Sequence, residues 1–294
     1  MKNQITTIVD DHAKHFELLI RSISSKFQVI WIFCYAKDVS FNFSDGTFKQ
    51  SNLEPFGQYS LLLVTETSTR IDGDVQDFVD HVYKHGKVNI ICHGRKNIFD
   101  AISKNNRFFT EIISKGELLY AQNGIMQQWP DVAFDYSLGS QKARIRYGYH
   151  FSVAKGFLIA ANASLSEVSC GVCVLNLHHA VEQCCLGMLR VFLSYKAEFR
   201  NIKRLLDLCT AFSDIPYHFF SSTSPNDQRL FKMLVDSFKL ARYSKGFLVA
   251  DNDAQQLYEK IEEFMKITQD LCERKVLELE QTYRQSQESE VQNG

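Results

Sequence analysis

The sequence predicts an α+β protein in two parts: an N-terminal α/β sandwich on a mixed sheet, residues 1–125, and an all-α helical bundle, residues 142–280. Three observations carry this. Short apolar runs alternate with amphipathic segments in the first part. In Val174–Ser194, apolar residues recur at Val174, Leu177, Val181, Cys184, Cys185, Met188, Leu189, Phe192 and Leu193, which is one face of a five-turn helix. Between the two parts, Met126–Ser140 holds Trp129-Pro130 and Gly139-Ser140 and loses the pattern, which marks residues 126–141 as a linker.

The elements follow in order. In His12–Lys26, Phe16, Leu19, Ile20 and Ile23 share a helix face. Val29–Phe33 is a buried strand, and the polar stretch Asp38–Phe56 is a connection turning at Asp45-Gly46. Tyr59–Val64 is a second strand, Asp72–Lys84 a helix, Val88–Cys92 a third strand, Asn106–Lys115 a helix and Glu117–Ala121 the last strand. Acids in Asp72-Gly73-Asp74 cap the helix that follows them. The second part reads as helices over Lys142–Leu165, Val168–Ser194, Ile202–Cys209, Asp227–Tyr243 and Asp251–Leu279, and residues 281–294 are a polar tail that frays.

Composition narrows the function. The chain has 294 residues, a net charge of −1 and 45% hydrophobic residues, so a nucleic-acid grip over the whole surface is disfavoured. The charge is uneven, however. No acid falls between Asp135 and Glu167, where Lys142, Arg144, Arg146 and Lys155 are basic. From Arg190 to Arg204 the bases Arg190, Lys196, Arg200, Lys203 and Arg204 face only Glu198. Both stretches permit a local basic surface on the second part. No uncharged run of eighteen apolar residues occurs and the N-terminus has no apolar leader, so the expectation is a cytoplasmic protein with no membrane span. The eight Cys then read as reduced, buried thiols. A zinc site among Cys170, Cys173, His178, His179, Cys184 and Cys185 is disfavoured, because its single Cys-x-x-Cys lies on a helix face.

The first part resembles the minimal nucleotidyltransferase domain of the polymerase-β superfamily. Ile32–Lys37 stands where those proteins carry a Gly-Ser turn after the first strand. Gln58 and Ser60 stand where they carry Asp-x-Asp, and Asn106–Ile112 with Gly116–Tyr120 follows their later segment. The resemblance implies nucleotidyl transfer. Mg²⁺ needs carboxylate oxygens, and an amide and a hydroxyl do not supply them, so the chemistry is expected to be lost. No cofactor and no metal site is expected. What remains is a remnant nucleotide cleft at Cys34, Lys37, Gln58 and Ser60.

The second part resembles the HEPN domain. Leu177-His178-His179-Ala180-Val181-Glu182 follows the family's helix pattern, Ser194–Leu206 its loop and Arg229–Tyr243 its later helix. The layout is related to bacterial toxin–antitoxin pairs. The resemblance implies a homodimer through the bundle and a cleft at His178, Glu182, Arg200, Arg242 and Tyr243. A buried hydrogen-bonded cluster between helices is the competing explanation for His178 and Glu182. Ribonucleases of that family pair an Arg with a His a few residues later. Here no His follows Arg242, and Arg144 with His150 is the pair retained. The leading expectation is therefore a non-catalytic nucleotide- or RNA-binding regulatory protein. The alternatives are a metal-independent ribonuclease using Arg144 or Arg242 with His150 or His178, and a protein-interaction scaffold.

Overall fold

The computed structural model describes residues 2–46, 49–124, 129, 139–167, 169–221 and 223–293. The chain separates into two compact units, Met1–Phe134 and Asp135–Gly294, and its architecture is α+β, a mixed sheet followed by helices. Most of the expected linker 126–141 lies outside the described residues.

In the first unit, α1 (Lys2–Lys26) leads into β1 (Val29–Gly46), β2 (Lys49–Thr65), α2 (Asp72–Val82), β3 (Gly86–Gly94), α3 (Arg95–Ser103), α4 (Arg107–Lys115) and β4 (Glu117–Ala121). The strand order is β3-β2-β1-β4; β2 and β3 run parallel, while β1 is antiparallel to β2 and β4. Leu61–Val64 is fully buried on both faces because helices cover both sides. Leu61, Leu63, Ile32 and Ile90 join Leu19 and Ile23 of α1 and Val75 and Val79 of α2. On the opposite face α4 packs on β1 and α3 on β3.

The stretch Asp38–Phe56 corrects the expectation of an irregular connection. It is two antiparallel strands in register from Asp38↔Gln58 to Gly46↔Lys49. Asp45 and Gly46, the expected turn, belong to β1. Val39, Phe41 and Phe43 alternate with polar residues, the period-two signal of a strand. Asp72 is corrected too: the N-cap of α2 is Ile71, and no side chain caps it. Asp72 instead accepts two bonds from Arg70 (2.7 and 2.9 Å) and one from the Cys92 N–H (2.8 Å), tying α2 to β3. Burial opposes its charge, and these bonds outweigh it, so its carboxyl sits below the usual range.

The second unit comprises α5 (Gly139–Ser166), α6 (Cys170–Phe192), α7 (Ile202–Cys209), α8 (Ile215–Phe220), α9 (Pro225–Tyr243) and α10 (Asp251–Asn293). α6 sits at the centre and touches α5, α7, α9 and α10. By length and a mean hydropathy of 1.2 it meets the requirement for a membrane span, yet 72% of that apolar window is buried inside the bundle. α10 continues through the segment expected to fray. All eight Cys are free and buried. Asn201 caps α7 and Ser224 caps α9, ahead of Pro225 at its first position.

Candidate functional site

The pairing of β1 with β2 splits the expected N-terminal cleft. Cys34 stands opposite Leu61 and Lys37 opposite Tyr59, so both lie on the α1/α2 face. Alternation puts Gln58 and Ser60 on the other face, where Ser60 is buried. A register shift between Cys34 and Ala36 sets Lys37 opposite Tyr59 rather than Gln58, on the same face as Cys34. Lys37 Nζ is paired with Glu117 at 2.6 Å. Burial pushes the Cys34 thiol up to about 11, with Glu117 adding to the effect. A thiol held protonated in this way is a poor nucleophile. The nearest strand-borne acids, Asp38 opposite Gln58 and Glu117 opposite Cys34, belong to opposite faces and form no carboxylate pair. Among the described residues, no group of three or more His, Cys, Asp or Glu is placed to hold a metal ion.

The five residues expected to line a cleft in the bundle also divide. His178 is buried between α6 and α9, with Nδ1 2.9 Å from the Leu234 carbonyl and its ring stacked on Phe238. Burial holds its pKa below the usual value. Arg242 lies over the same Phe238 ring, 4.1 Å from its centre, while Tyr243 is 77% exposed. One turn along α6, Glu182 is buried and accepts from Arg200 Nη1 at 2.8 Å and from His179 Nδ1 at 3.3 Å. Burial opposes the charge of Glu182, and these two partners still hold its pKa below the carboxylate norm. His179 links the two, with its ring against His178 and Phe238 and its Nδ1 on Glu182, so His178 and Glu182 belong to one buried cluster without sharing a direct bond.

Arg200 opens onto a cavity of about 490 Å³ lined by Ile145, Arg146, Tyr149 and His150 of α5, Gln183, Leu186 and Arg190 of α6, and Lys196, Ala197 and Arg200 of the segment after it. The two basic stretches of the sequence converge here. Four cationic side chains line the cavity and, among the described residues, no acid does. Arg190 is half-buried, and burial alone lowers its pKa. Neither Arg190 nor Lys196 has an ion-pair partner among the described residues. His150 donates Nδ1–H to Gln183 Oε1 at 2.8 Å. Its pKa is lowered, first by burial and then, against the Gln183 bond, by Arg190 and Arg200, so the ring is neutral at pH 7 with an unprotonated Nε2.

Helix packing sets this geometry. Ala143, Ala154 and Ala161 are the buried residues of α5, and Gly187 lies opposite on α6. A Cβ on Gly187 would stand 3.1 Å from His150 Cβ, so the absence of a side chain lets α5 approach. The expected pair Arg144 and His150 is not assembled. Arg144 is 2.6 Å from Glu280 of α10, and Arg146 shares the cavity with His150 instead. Sequence reasoning counted Arg146 in a basic stretch without pairing it with His150, and missed Gln183 and Tyr149. The available signal was the four-residue step from Arg146 to His150, one helix turn.

No family model and no curated protein matches the chain. Among solved structures it is similar to a nucleotidyltransferase-like protein from Exiguobacterium sibiricum 255-15. That match has 11% identity and a TM-score of 0.28, and covers 89% of this chain and 78% of that one.

Proposed function

We propose that the helical unit is a non-catalytic RNA-binding module that holds phosphate in the cavity between α5, α6 and Lys196–Arg200. The N-terminal unit is then a nucleotidyltransferase-like scaffold without transfer chemistry. The carrying observation is the half-buried Arg190, which among the described residues has no acidic partner in a cavity lined by four cations and no acid. A desolvated guanidinium is costly unless an anion completes it, and planar forks suit phosphate oxygens. Tyr149, 65% exposed at the cavity wall, offers a ring on which an unpaired base can stack. For the N-terminal unit, neutral Gln58 and Ser60 and the separation of Asp38 from Glu117 argue against Mg²⁺-dependent transfer. A homodimer through the bundle belongs to the same reading.

Fluorescence anisotropy with labelled single-stranded RNA tests this. Binding by the full chain, weakened in Arg190→Gln and in Lys196→Gln, supports it; equal binding by all three overturns the cavity as the site. A second reading, metal-independent RNA cleavage, is favoured by the neutral His150 oriented by Gln183, since Nε2 can accept a 2′-hydroxyl proton beside Arg146 and Arg190. Cleavage that persists in chelator and vanishes in His150→Ala would support that reading against the first.

A further inference from the structure

We infer that the cavity selects a terminal phosphomonoester, the phosphorylated end of an RNA strand, over the internal phosphodiesters of the chain; this rests on the RNA-binding reading above. The first argument is how the charges are arranged. Proteins that track a nucleic-acid backbone spread their cations along a groove. Here Arg146, Arg190, Lys196 and Arg200 gather around one cavity of about 490 Å³, a volume suited to one small ligand. The second argument is charge matching. A phosphomonoester carries about −1.5 to −2 at pH 7, whereas each internal phosphate carries one charge. Arg200 is already paired with Glu182, so Arg190 and Lys196 are the cations whose counter-charge the described protein does not supply. Two such cations match a dianion.

The walls support the same conclusion. Ile145 and Tyr149, one helical turn apart on α5, are each 65% exposed, and both line the cavity beside the cations. A terminal nucleotide whose phosphate reaches Arg190 can lay its base on the Tyr149 ring. Gln183 holds the His150 ring in place, which leaves Nε2 available as a further polar contact.

The test compares one single-stranded RNA of fixed sequence bearing a 5′-phosphate, a 3′-phosphate or hydroxyls at both ends, titrated into the full chain. At least one phosphorylated form should bind about tenfold tighter than the hydroxyl form, the factor that one charge-assisted hydrogen bond supplies. Arg190→Gln should erase that increment while the melting temperature holds, and Lys196→Gln, at an exposed position, should reduce it. Equal affinity of all three RNAs would overturn end recognition and leave RNA binding standing. An increment untouched by both variants would overturn the cavity as its origin. Failure of every RNA to bind would overturn the RNA-binding reading as well.

Discussion

The pair between Glu182 and Arg200 gives a prediction whose size and sign both follow from the geometry. Glu182 has a side chain 4% exposed, and Arg200 one 56% exposed, 2.8 Å apart. Arg200→Gln returns nothing costly to the interior, but it strands a buried carboxylate with His179 as its remaining partner. Leaving a charged group short of a partner costs about 1–3 kcal/mol, and breaking a fully buried pair about 3–5. With His179 retained, about 2 kcal/mol is expected. For a unit of this size that is a loss of about 4–8 °C in melting temperature. Glu182→Gln added to Arg200→Gln removes the stranded charge and should recover much of the loss.

The pH dependence reverses between the two proteins. In the native protein the folded carboxyl is depressed, so its contribution is full above the unfolded value and fades as pH falls through the folded value. In Arg200→Gln, burial dominates and raises the carboxyl, so the deficit should shrink between pH 7 and pH 5. Thermal melts of the full chain over that range provide the assay. A deficit that stays constant with pH, or no recovery in the double variant, would refute the placement of Glu182 as a buried anion.

Other outcomes follow from the same structure. Burial holds His93 at about 4, and His85, stacked on His15, is also depressed. Both therefore favour the folded state above pH 6.5. Stability of the N-terminal unit should fall as pH drops from 6.5 toward 4, by about 3 kcal/mol for His93 alone, and His93→Phe should flatten that fall in an acid titration. Asp72→Ala removes the carboxylate that accepts from Arg70 and from the Cys92 N–H and should cost about 2–3 kcal/mol in denaturant unfolding. Gly187→Ala gains about 1 kcal/mol of helix propensity but crowds His150 Cβ at 3.1 Å, an overpacking of about 1–3 kcal/mol. It should weaken RNA binding more than it changes the melting temperature. Leu177→Ala, at a fully buried position of α6, should cost about 2–5 kcal/mol in the melting of the helical unit.

The strands at Val29–Phe33, Tyr59–Val64 and Val88–Cys92 and the helix over 174–192 were legible because burial on one or both faces writes itself as a period or an apolar run. The ribbon over 38–57 was not, because its polar residues and Asp-Gly pair resemble a loop and its pairing is a long-range property. α8 was missed because six residues hold too few turns to display a period, and α3 because it buries only Ile98 and Ile102, where α4, of equal length, buries Phe108, Phe109 and Ile112. At the candidate site, the excess of bases after residues 142 and 190 was visible, but which of them meet depends on how α5 crosses α6 at Gly187. That crossing separates Arg144, turned to Glu280, from Arg146 in the cavity. Motif spacing likewise grouped Cys34 and Lys37 with Gln58 and Ser60; the pairing of Cys34 with Leu61 parts Cys34 from them, and a one-residue shift in β1 carries Lys37 to the Cys34 face.

The salt dependence of single-stranded RNA binding tests the central claim most directly. If the cavity neutralises two to four phosphate charges, log K should fall against log salt with a slope of about −1.5 to −3, and Arg190→Gln should lower its magnitude by about 0.7. Absent binding, or binding with the same slope in the variant, would contradict the account.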